Sequence, residues 1–384
     1  MREINRRELI KLSALGSAAL TLGFSSNAEE VSSPFVNPLT GEWVGDFPVN
    51  LPISSKLNAN ENPYGQSKKA LEAFQHEMKD ANRYGSPVTR EFTSFMAEAH
   101  QVKEDQVILS AGSLELLQLA ALTFGAKKGN IISAFPTFEP LLRNAQAIGC
   151  NWRQVDVDLD LKHNLQLMED SITDDTALMY VCNPNNPTGT ILDPDELRSF
   201  CKRVSQRMPV FVDEAYNEFL DEPEKHTMLS LVQEGYNVII CKTFSKLHGF
   251  AGLRAGYAIG NAKLINHMTR YRNFQTTMTR PTMKAAMASF NDAEFRAFCL
   301  ANNNEAREFT YNELKKRGFR PTKSYTSFMV FPIDMLGGEF ITKMAEHGVA
   351  IRSWEFHEKQ WCRVSVGTMD NMKEFLSALD KVIS

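Results

Sequence analysis

A lysine in the run Thr243-Phe244-Ser245-Lys246 is suited to covalent chemistry because of the residues around it. The apolar stretch Val238-Ile239-Ile240-Cys241 leads into this run and predicts a buried strand that ends in a short turn. A lysine fixed on such a turn and shielded from water has a lowered pKa, so its amine can attack a carbonyl. Ser245 and Arg254 would suit a phosphate monoester close to that carbonyl.

A carboxylate and an amide at earlier strand ends extend this set of groups. Asp213 follows the apolar run Val210-Phe211-Val212, and Asn186 lies in a loop rich in proline and asparagine. Pyridoxal phosphate carries a carbonyl and a phosphate on one small ring, and its ring nitrogen needs a carboxylate partner. Serine-lysine alone is a weak motif, but its joint occurrence with Asp213 and Asn186 indicates a pyridoxal-phosphate site.

From about residue 105 onward, short apolar runs alternate with helical segments, and these elements could position the groups named above. This alternation predicts an α/β domain with a mainly parallel sheet, whose ligands bind at the carboxyl ends of the strands. Each suspected motif falls at such an end. We expect strands over 107–109, 130–134, 177–182, 210–212 and 238–240, and helices from near Leu114, over 140–148 and from Pro194.

The pattern changes after about residue 285 and predicts a smaller α+β domain. Its expected elements are a long helix over 295–317, strands over 327–332 and 362–366, and a final helix over 372–383. A further helix is expected over 68–80, with Leu71, Phe74 and Met78 on one side. The predicted boundaries are 29–80 for an arm and part of the small domain, 81–285 for the large domain and 286–384 for the small domain.

The composition is that of a soluble globular enzyme, with 43% hydrophobic and 23% charged residues among 384. A net charge of −4 gives no indication of a nucleic-acid partner. The six cysteines are scattered without metal-like spacing, so we expect buried free thiols and no metal site.

The N-terminus has the pattern of an export signal. The run Asn5-Arg6-Arg7-Glu8-Leu9-Ile10-Lys11 precedes an apolar stretch over 12–24, and Ser26-Asn27-Ala28 offers small residues for cleavage. The stretch is too short for a membrane span, which needs roughly 20 apolar residues. Residues 1–28 are therefore interpreted as a twin-arginine signal peptide that directs the chain to the periplasm. The alternative is an amphipathic helix of a cytoplasmic protein.

The motifs together resemble those of fold-type I, class I/II aminotransferases, which depend on pyridoxal phosphate. The resemblance rests on three motifs, with Arg254 following the last of them: Asn183-Pro184-Asn185-Asn186-Pro187-Thr188-Gly189, Asp213-Glu214-Ala215-Tyr216 and Ser245-Lys246. A closer resemblance to histidinol-phosphate aminotransferases rests on Leu57-Asn58-Ala59-Asn60-Glu61-Asn62-Pro63-Tyr64-Gly65 and Arg363-Val364-Ser365-Val366-Gly367-Thr368. It implies a large, mainly parallel α/β domain and a smaller α+β domain.

The resemblance also implies a role for each cofactor residue. Lys246 would bond to the carbonyl carbon of the cofactor and then move the proton at the substrate's α-carbon. Asp213 would pair with the ring nitrogen, and Tyr216 and Asn186 would bind the phenolic oxygen. Phe138 occupies the place of the ring that stacks on the pyridine.

The phosphate is expected to lie against Ser245, Arg254 and the turn Gly112-Ser113-Leu114, where a helix begins and favours an anion. Tyr84 resembles the family tyrosine that reaches the phosphate from a neighbouring subunit. The resemblance therefore implies a homodimer with shared active sites.

On the substrate side, Arg363 resembles the arginine that binds the carboxylate or phosphate of the substrate, and Arg352 resembles a second anion contact. Asn62 stands where some members have a tyrosine that contacts the substrate. His248 is interpreted as a wall residue of the site.

The expected reaction is a ping-pong transamination between an amino donor and a 2-oxo acid. A threonine-phosphate decarboxylase remains an alternative, because such enzymes share the cofactor residues, and so does a non-catalytic pyridoxal-phosphate-binding protein. No G-x-G-x-x-G follows a strand, which disfavours an oxidoreductase. Histidine synthesis takes place in the cytoplasm, so either the export interpretation is wrong or the chain acts on another substrate, such as an aromatic or other amino acid.

Overall fold

The computed structural model describes residues 51–127, 129–272 and 276–384, together with the backbone of residues 35–36 and 43–44. The predicted signal peptide, residues 1–28, lies outside the described residues. Residues 36–384 form one compact unit.

The helices and strands follow one another in an α/β order along this unit. The strands are β1 (Phe35–Val36), β2 (Trp43–Val44), β3 (Ser55–Lys56), β4 (Val107–Ser110), β5 (Asn130–Phe135), β6 (Asn151–Asp156), β7 (Thr176–Cys182), β8 (Val210–Asp213), β9 (Val238–Thr243), β10 (Gly256–Gly260), β11 (Phe328–Ile333), β12 (Val349–Ala350), β13 (Arg352–Phe356) and β14 (Lys359–Ser365). The α-helices are α1 (Lys68–Glu77), α2 (Ser86–Ala99), α3 (Ser113–Gly125), α4 (Pro140–Ala147), α5 (Leu165–Asp170), α6 (Pro194–Val204), α7 (Pro223–His226), α8 (Leu229–Gln233), α9 (Ala262–Thr269), α10 (Arg280–Phe290), α11 (Ala293–Lys316), α12 (Gly337–Glu346) and α13 (Met369–Ile383). Short 3₁₀ helices cover Met78–Asp80, Glu104–Gln106 and Asn217–Phe219.

A seven-stranded sheet with the order β4-β10-β9-β8-β7-β5-β6 forms the centre of the fold. β10 runs antiparallel to both of its neighbours, and the remaining neighbouring pairs are parallel. The expected mainly parallel α/β sheet is therefore confirmed. β6 and β10 were not expected, because β6 is largely exposed and lacks an apolar run, and β10 begins and ends with glycine.

Both faces of this sheet are buried, which explains why its central strands are continuously apolar. Val210 and Val212 of β8 belong to one hydrophobic core, and Phe211 between them belongs to another on the opposite face. All three are 0% exposed. The two cores hold the strands in register, so their carboxyl ends form a common edge.

The helix expected over 68–80 is present as α1 and the 3₁₀ turn that follows it. Its expected apolar side is only partly buried. Phe74 packs against the core, whereas Leu71 and Met78 are 43% and 51% exposed. The helix instead buries Ala70 and Glu77, which lies 2.5 Å from the guanidinium of Arg280.

A second, smaller core lies between α11, α12, α13 and the antiparallel sheet β11-β14-β13. Leu57 belongs to this core, and the short parallel pair of β3 with β12 holds that segment in place. The expected strands over 327–332 and 362–366 and the helices over 295–317 and 372–383 are present within a few residues. The domain boundaries stay a prediction, and α10 runs across the expected limit between residues 285 and 286.

All six cysteines are buried free thiols, as expected. Within the described ranges, no helix has the length and apolar character needed to cross a lipid bilayer. Nor do the described side chains bring together three or more histidine, cysteine, aspartate or glutamate groups that could hold a metal ion.

Candidate active site

A cavity of about 280 Å³ opens where β7, β8 and β9 end. The parallel ladders bring these strand ends together, because Cys182 pairs with Asp213 and Asp213 pairs with Cys241. Most of the predicted site residues line this single cavity: Ser113, Leu114, Phe138, Asn186, Asp213, Tyr216, Ser245, Lys246, Arg254, Arg352 and Arg363.

One end of the cavity is built for an anion. The helix α3 begins directly after Gly112, which has φ +81, and its first backbone N–H groups have no partner within the helix. Arg254 donates from Nη1 to Ser245 Oγ at 3.2 Å. Its guanidinium lies so close to Gly112 that a Cβ at that position would be 2.2 Å from Nη2. A helix N-terminus, a guanidinium and a hydroxyl in one corner fit a phosphate group.

A buried carboxylate occupies the floor of the cavity. Asp213 is 1% exposed and accepts hydrogen bonds from Ala215 N at 3.1 Å and Tyr180 Oη at 3.3 Å. Burial raises its pKa to about 6, although the charge of Lys246 acts in the opposite direction. The described residues place no cationic nitrogen within 4 Å of this carboxylate. A protonated ring nitrogen would supply that cation, so Asp213 fits the pyridine of pyridoxal phosphate.

The amine of Lys246 lies in the same cavity. Its Nζ donates to the carbonyl oxygens of Asn60 at 3.2 Å and Ala59 at 3.4 Å, and it lies 5.5 Å from the ring centre of Tyr216. Burial, followed by the positive charge of Arg363, lowers the pKa of Lys246 to about 8. The amine is therefore partly uncharged near neutral pH, as a nucleophile and a proton carrier must be.

Tyr216 and Asn186, the residues expected to bind a phenolic oxygen, both line the cavity. Tyr216 Oη accepts from Asn60 Nδ2 at 2.9 Å, and burial raises the pKa of the phenol. Asn186 Oδ1 accepts from Arg363 Nη1 at 2.7 Å, which leaves the amide NH₂ to act as a donor.

Two guanidinium groups form the substrate side. Arg363 donates to Asn58 O at 3.0 Å, and its Cζ lies 4.5 Å from the ring centre of Trp354. Burial lowers the pKa of Arg363 to about 10. Burial and the nearby charge of Arg363 also lower the pKa of Arg352 to about 10. Guanidinium groups are suited to bind the carboxylate or phosphate of a substrate.

Three predicted residues lie outside the lining of this cavity. Gly112 lies behind Arg254, as described above. Asn62 lines a smaller adjoining pocket, where Nδ2 donates to Leu247 O at 2.7 Å and to Cys299 Sγ at 3.3 Å. Tyr84 is 89% exposed on the surface of the chain.

The interpretation of His248 as a wall residue is wrong, because its side chain is 1% exposed and lies in the core behind Lys246.

Asn60 and Tyr180 also contribute to the site, although sequence reasoning gave them no role. Asn60 has φ 52 and forms two hydrogen bonds with Ser365 Oγ, so its amide is held toward Tyr216. Asn60 lies within the run from Leu57 to Gly65 on which the closer resemblance rests, so the sequence did offer a signal for this residue. Tyr180 lies in an apolar strand and resembles an ordinary core residue. Its contact with Asp213 depends on the register between strands.

The residues present therefore fit pyridoxal phosphate at three separate points. Arg254, Ser245 and the start of α3 would hold its phosphate, Asp213 its ring nitrogen, and Tyr216 with Asn186 its phenolic oxygen. When bound, the cofactor supplies an electron sink for the α-carbon of the substrate. Lys246 Nζ can take up a proton and return it near neutral pH, because its pKa is about 8.

Replacing Gly112 with alanine should weaken pyridoxal-phosphate binding about 10- to 100-fold, because the new Cβ would displace the guanidinium of Arg254 and loosen a charged hydrogen bond. Titration of the apoenzyme with the cofactor, followed by fluorescence quenching, measures the affinity. Gly235→Ala is the control, since Gly235 has φ +88 but no atom lies within 4 Å of the point that a Cβ would occupy there. Equal affinity of both variants would contradict the assignment of this corner to the phosphate.

Known proteins with similar sequences share the chemistry that this cavity fits. A family model described as aminotransferase class I and II matches residues 53–379. The histidinol-phosphate aminotransferase of Bacillus subtilis (strain 168) is 32% identical over 330 residues, which cover 85% of this chain and 91% of that protein. Histidinol-phosphate aminotransferase 1 of Idiomarina loihiensis is 30% identical over 363 residues, covering 93% of this chain and 98% of that protein.

A solved structure shares the fold. The histidinol-phosphate aminotransferase from Sinorhizobium meliloti, in complex with pyridoxal 5′-phosphate, matches with a TM-score of 0.81 at 21% identity, over 94% of this chain and 99% of that chain. The fold is thus the fold-type I architecture expected from the sequence. The family match extends over most of the chain, and the residues that fit pyridoxal phosphate meet in one cavity. The chain belongs to the class I and II aminotransferases and is a pyridoxal-phosphate-dependent transaminase.

Proposed function

We propose that this transaminase exchanges an amino group between a histidinol-phosphate-like amine and a 2-oxo acid. The observation that carries this proposal is the position of Arg352 and Arg363, which line the same cavity as Lys246. Burial lowers the pKa of each guanidinium to about 10, and both groups are donors suited to the phosphate of such an amine. Relatives at 30% and 32% identity are named for histidinol phosphate.

A ping-pong reaction places a further demand on these arginines. The amine leaves before the 2-oxo acid binds, so one cavity must accept both substrates in turn. A guanidinium can form two parallel hydrogen bonds with either a phosphate or a carboxylate. Arg363 also packs over Trp354, and this fixes the plane of its guanidinium. The same pair of arginines can therefore serve a phosphate in one half-reaction and a carboxylate in the other.

Arg352→Gln should weaken the response to histidinol phosphate about 10- to 100-fold, whereas the response to histidinol, which lacks the phosphate, should change little. The visible absorbance of the cofactor-loaded enzyme is followed while each amine is added. Arg90→Gln, an exposed position outside the cavity, is the control. A response to aromatic amino acids but none to histidinol phosphate would overturn the proposed substrate class. Release of carbon dioxide from an added amino acid, without amino transfer, would support the decarboxylase alternative.

The active form is proposed to be a homodimer whose two sites are shared. Tyr84 is 89% exposed, and Leu71 and Met78 before it are also exposed. Leu114 is 40% exposed and lines the cavity. Exposed apolar side chains support an interface with a second copy of the chain. Such an interface could place the Tyr84 hydroxyl of one subunit at the phosphate corner of the other.

Mixing two variants with different defects tests the shared site. Tyr84→Phe chains retain Lys246, and Lys246→Ala chains retain Tyr84, so a mixed dimer would contain one complete site. We expect the mixture to bind pyridoxal phosphate covalently with the parent affinity at that site, whereas Tyr84→Phe alone binds about 10-fold more weakly. A mixture with the affinity of Tyr84→Phe alone would show that each site uses its own Tyr84.

Export through the twin-arginine route is also proposed, on the strength of Arg6-Arg7 and the small residues before residue 29. This route carries folded proteins, which suits an enzyme that acquires its cofactor in the cytoplasm. Expression in a bacterial host should yield a chain in the periplasmic fraction that begins after Ala28, as read by N-terminal sequencing. Arg6→Lys with Arg7→Lys should leave the chain uncut in the cytoplasm. A parent chain that stays uncut in the cytoplasm would reject the export proposal.

A further inference from the structure

The segments that carry Tyr216 and Lys246 are joined by side chains beyond the last pair of the ladder between β8 and β9. The parallel ladder between β8 and β9 stops at the pair Asp213 and Cys241. Just beyond it, Lys242 Nζ lies 2.8 Å from Glu214 Oε2. The same amine donates to Asn217 Oδ1 at 3.1 Å.

A second link lies beyond the catalytic residues. His248 Nε2 is 3.2 Å from Glu218 Oε1, and its Nδ1 is 2.8 Å from Ser289 Oγ of α10. Because an ionised carboxylate can only accept hydrogen bonds, Nε2 must carry the proton that points to Glu218. The ring also packs 4.6 Å from the ring of Phe244. His248 is thus fixed on both of its nitrogens and on one face.

Glu218 is an anion in this setting. Burial alone would raise its pKa, but His248, Lys242 and Arg296 outweigh that effect and lower the pKa to about 2. The guanidinium of Arg296, on α11, lies 3.7 Å from the same oxygen. Glu218 is half-buried, and its cationic neighbours on two other elements restrict its freedom to move.

The order serine, histidine, glutamate has the connectivity of a hydrolase triad, but the burial rules out that chemistry. Ser289 is 0% exposed and His248 is 1% exposed. Neither residue lines the active-site cavity or the smaller pocket that adjoins it. An ester or amide could not reach the hydroxyl, so the link has a structural consequence and no hydrolytic one.

We propose that His248 and Glu218 are positioning residues whose hydrogen bond fixes Lys246 over the ring of Tyr216. Glu218 follows Tyr216 by two residues and His248 follows Lys246 by two, so their bond joins the two catalytic segments directly. Lys246 Nζ lies 5.5 Å from the Tyr216 ring centre, within the cavity that desolvates it. A shift of about 1 Å in such a group can reduce a rate 100-fold.

Two amide substitutions separate the bond to Glu218 from the bond to Ser289. The amide nitrogen of His248→Gln lies where Nε2 was and can donate to Glu218. The amide nitrogen of His248→Asn lies where Nδ1 was and can reach only Ser289. We expect His248→Gln to behave like the parent and His248→Asn to lose about 10- to 100-fold in kcat with less than about 3-fold change in KM.

A measurement on the apoenzyme gives a second readout that needs no substrate. The rate of covalent attachment of pyridoxal phosphate is recorded against pH, and the parent midpoint is expected near 8, the pKa of Lys246. A loosened lysine becomes more hydrated, so its pKa rises toward the ordinary value. In His248→Asn the midpoint should move upward, and attachment at pH 7 should slow about 10-fold for each unit of that shift.

Glu218→Gln tests the same bond from the other side, because it keeps the shape of the residue but removes the charge that strengthens the hydrogen bond. It should shift the midpoint in the same direction, whereas Glu169→Gln, which breaks the ion pair with Arg203 away from the site, should not. Near-ultraviolet circular dichroism confirms that each variant is folded. Parent-like behaviour of folded His248→Asn and Glu218→Gln would overturn the proposal. An equal loss in His248→Gln and His248→Asn would also overturn it, because only the former keeps the bond.

Discussion

The parallel ladder of β7, β8 and β9 is the constraint on which the site depends. Parallel strands end at one edge, so the residues that follow Cys182, Asp213 and Thr243 must emerge side by side. Two hydrophobic cores hold this edge in place, because neighbouring residues of β8 pack into opposite cores. This edge alone brings Asp213, Lys246 and Asn186 within reach of one small ring.

The groups at that edge are also largely removed from solvent, and this burial sets their electrostatics. Burial lowers the pKa of Lys246 to about 8, which corresponds to about 3 kcal/mol against the charged amine. Burial raises the pKa of Asp213 to about 6. Arg352 and Arg363 both have their pKa lowered to about 10. Each group is less stable in its charged form than in water. A cationic ring nitrogen beside Asp213 would restore stability to that carboxylate, and the corner formed by Arg254, Ser245 and the start of α3 suits an anion.

Cofactor chemistry could be inferred from the sequence because it depends on local patterns. Lys246 and Asp213 each follow an apolar run, and an apolar run predicts both a strand and the position of its end. The strands that were missed, β6 and β10, carry no such run. His248 was placed wrongly for a related reason: its distance from Lys246 along the chain suggested the cavity wall, whereas the turn directs its side chain toward Ser289 and Glu218. Contacts between distant segments leave no pattern that a single sequence reveals.

The substrate side also depends on contacts between distant segments, which a single sequence does not reveal. Arg352 and Arg363 lie on the smaller antiparallel sheet, and Asn60 lies on the segment that β3 ties to β12. These elements reach the cavity through tertiary packing, since Ser365 holds Asn60 and Asn58 accepts from Arg363. A change in how the smaller core packs would move both arginines while leaving Asp213 and Lys246 in place. Substrate choice in this fold can therefore diverge without loss of cofactor chemistry, and the same separation explains why the cofactor could be named from the sequence before the substrate could.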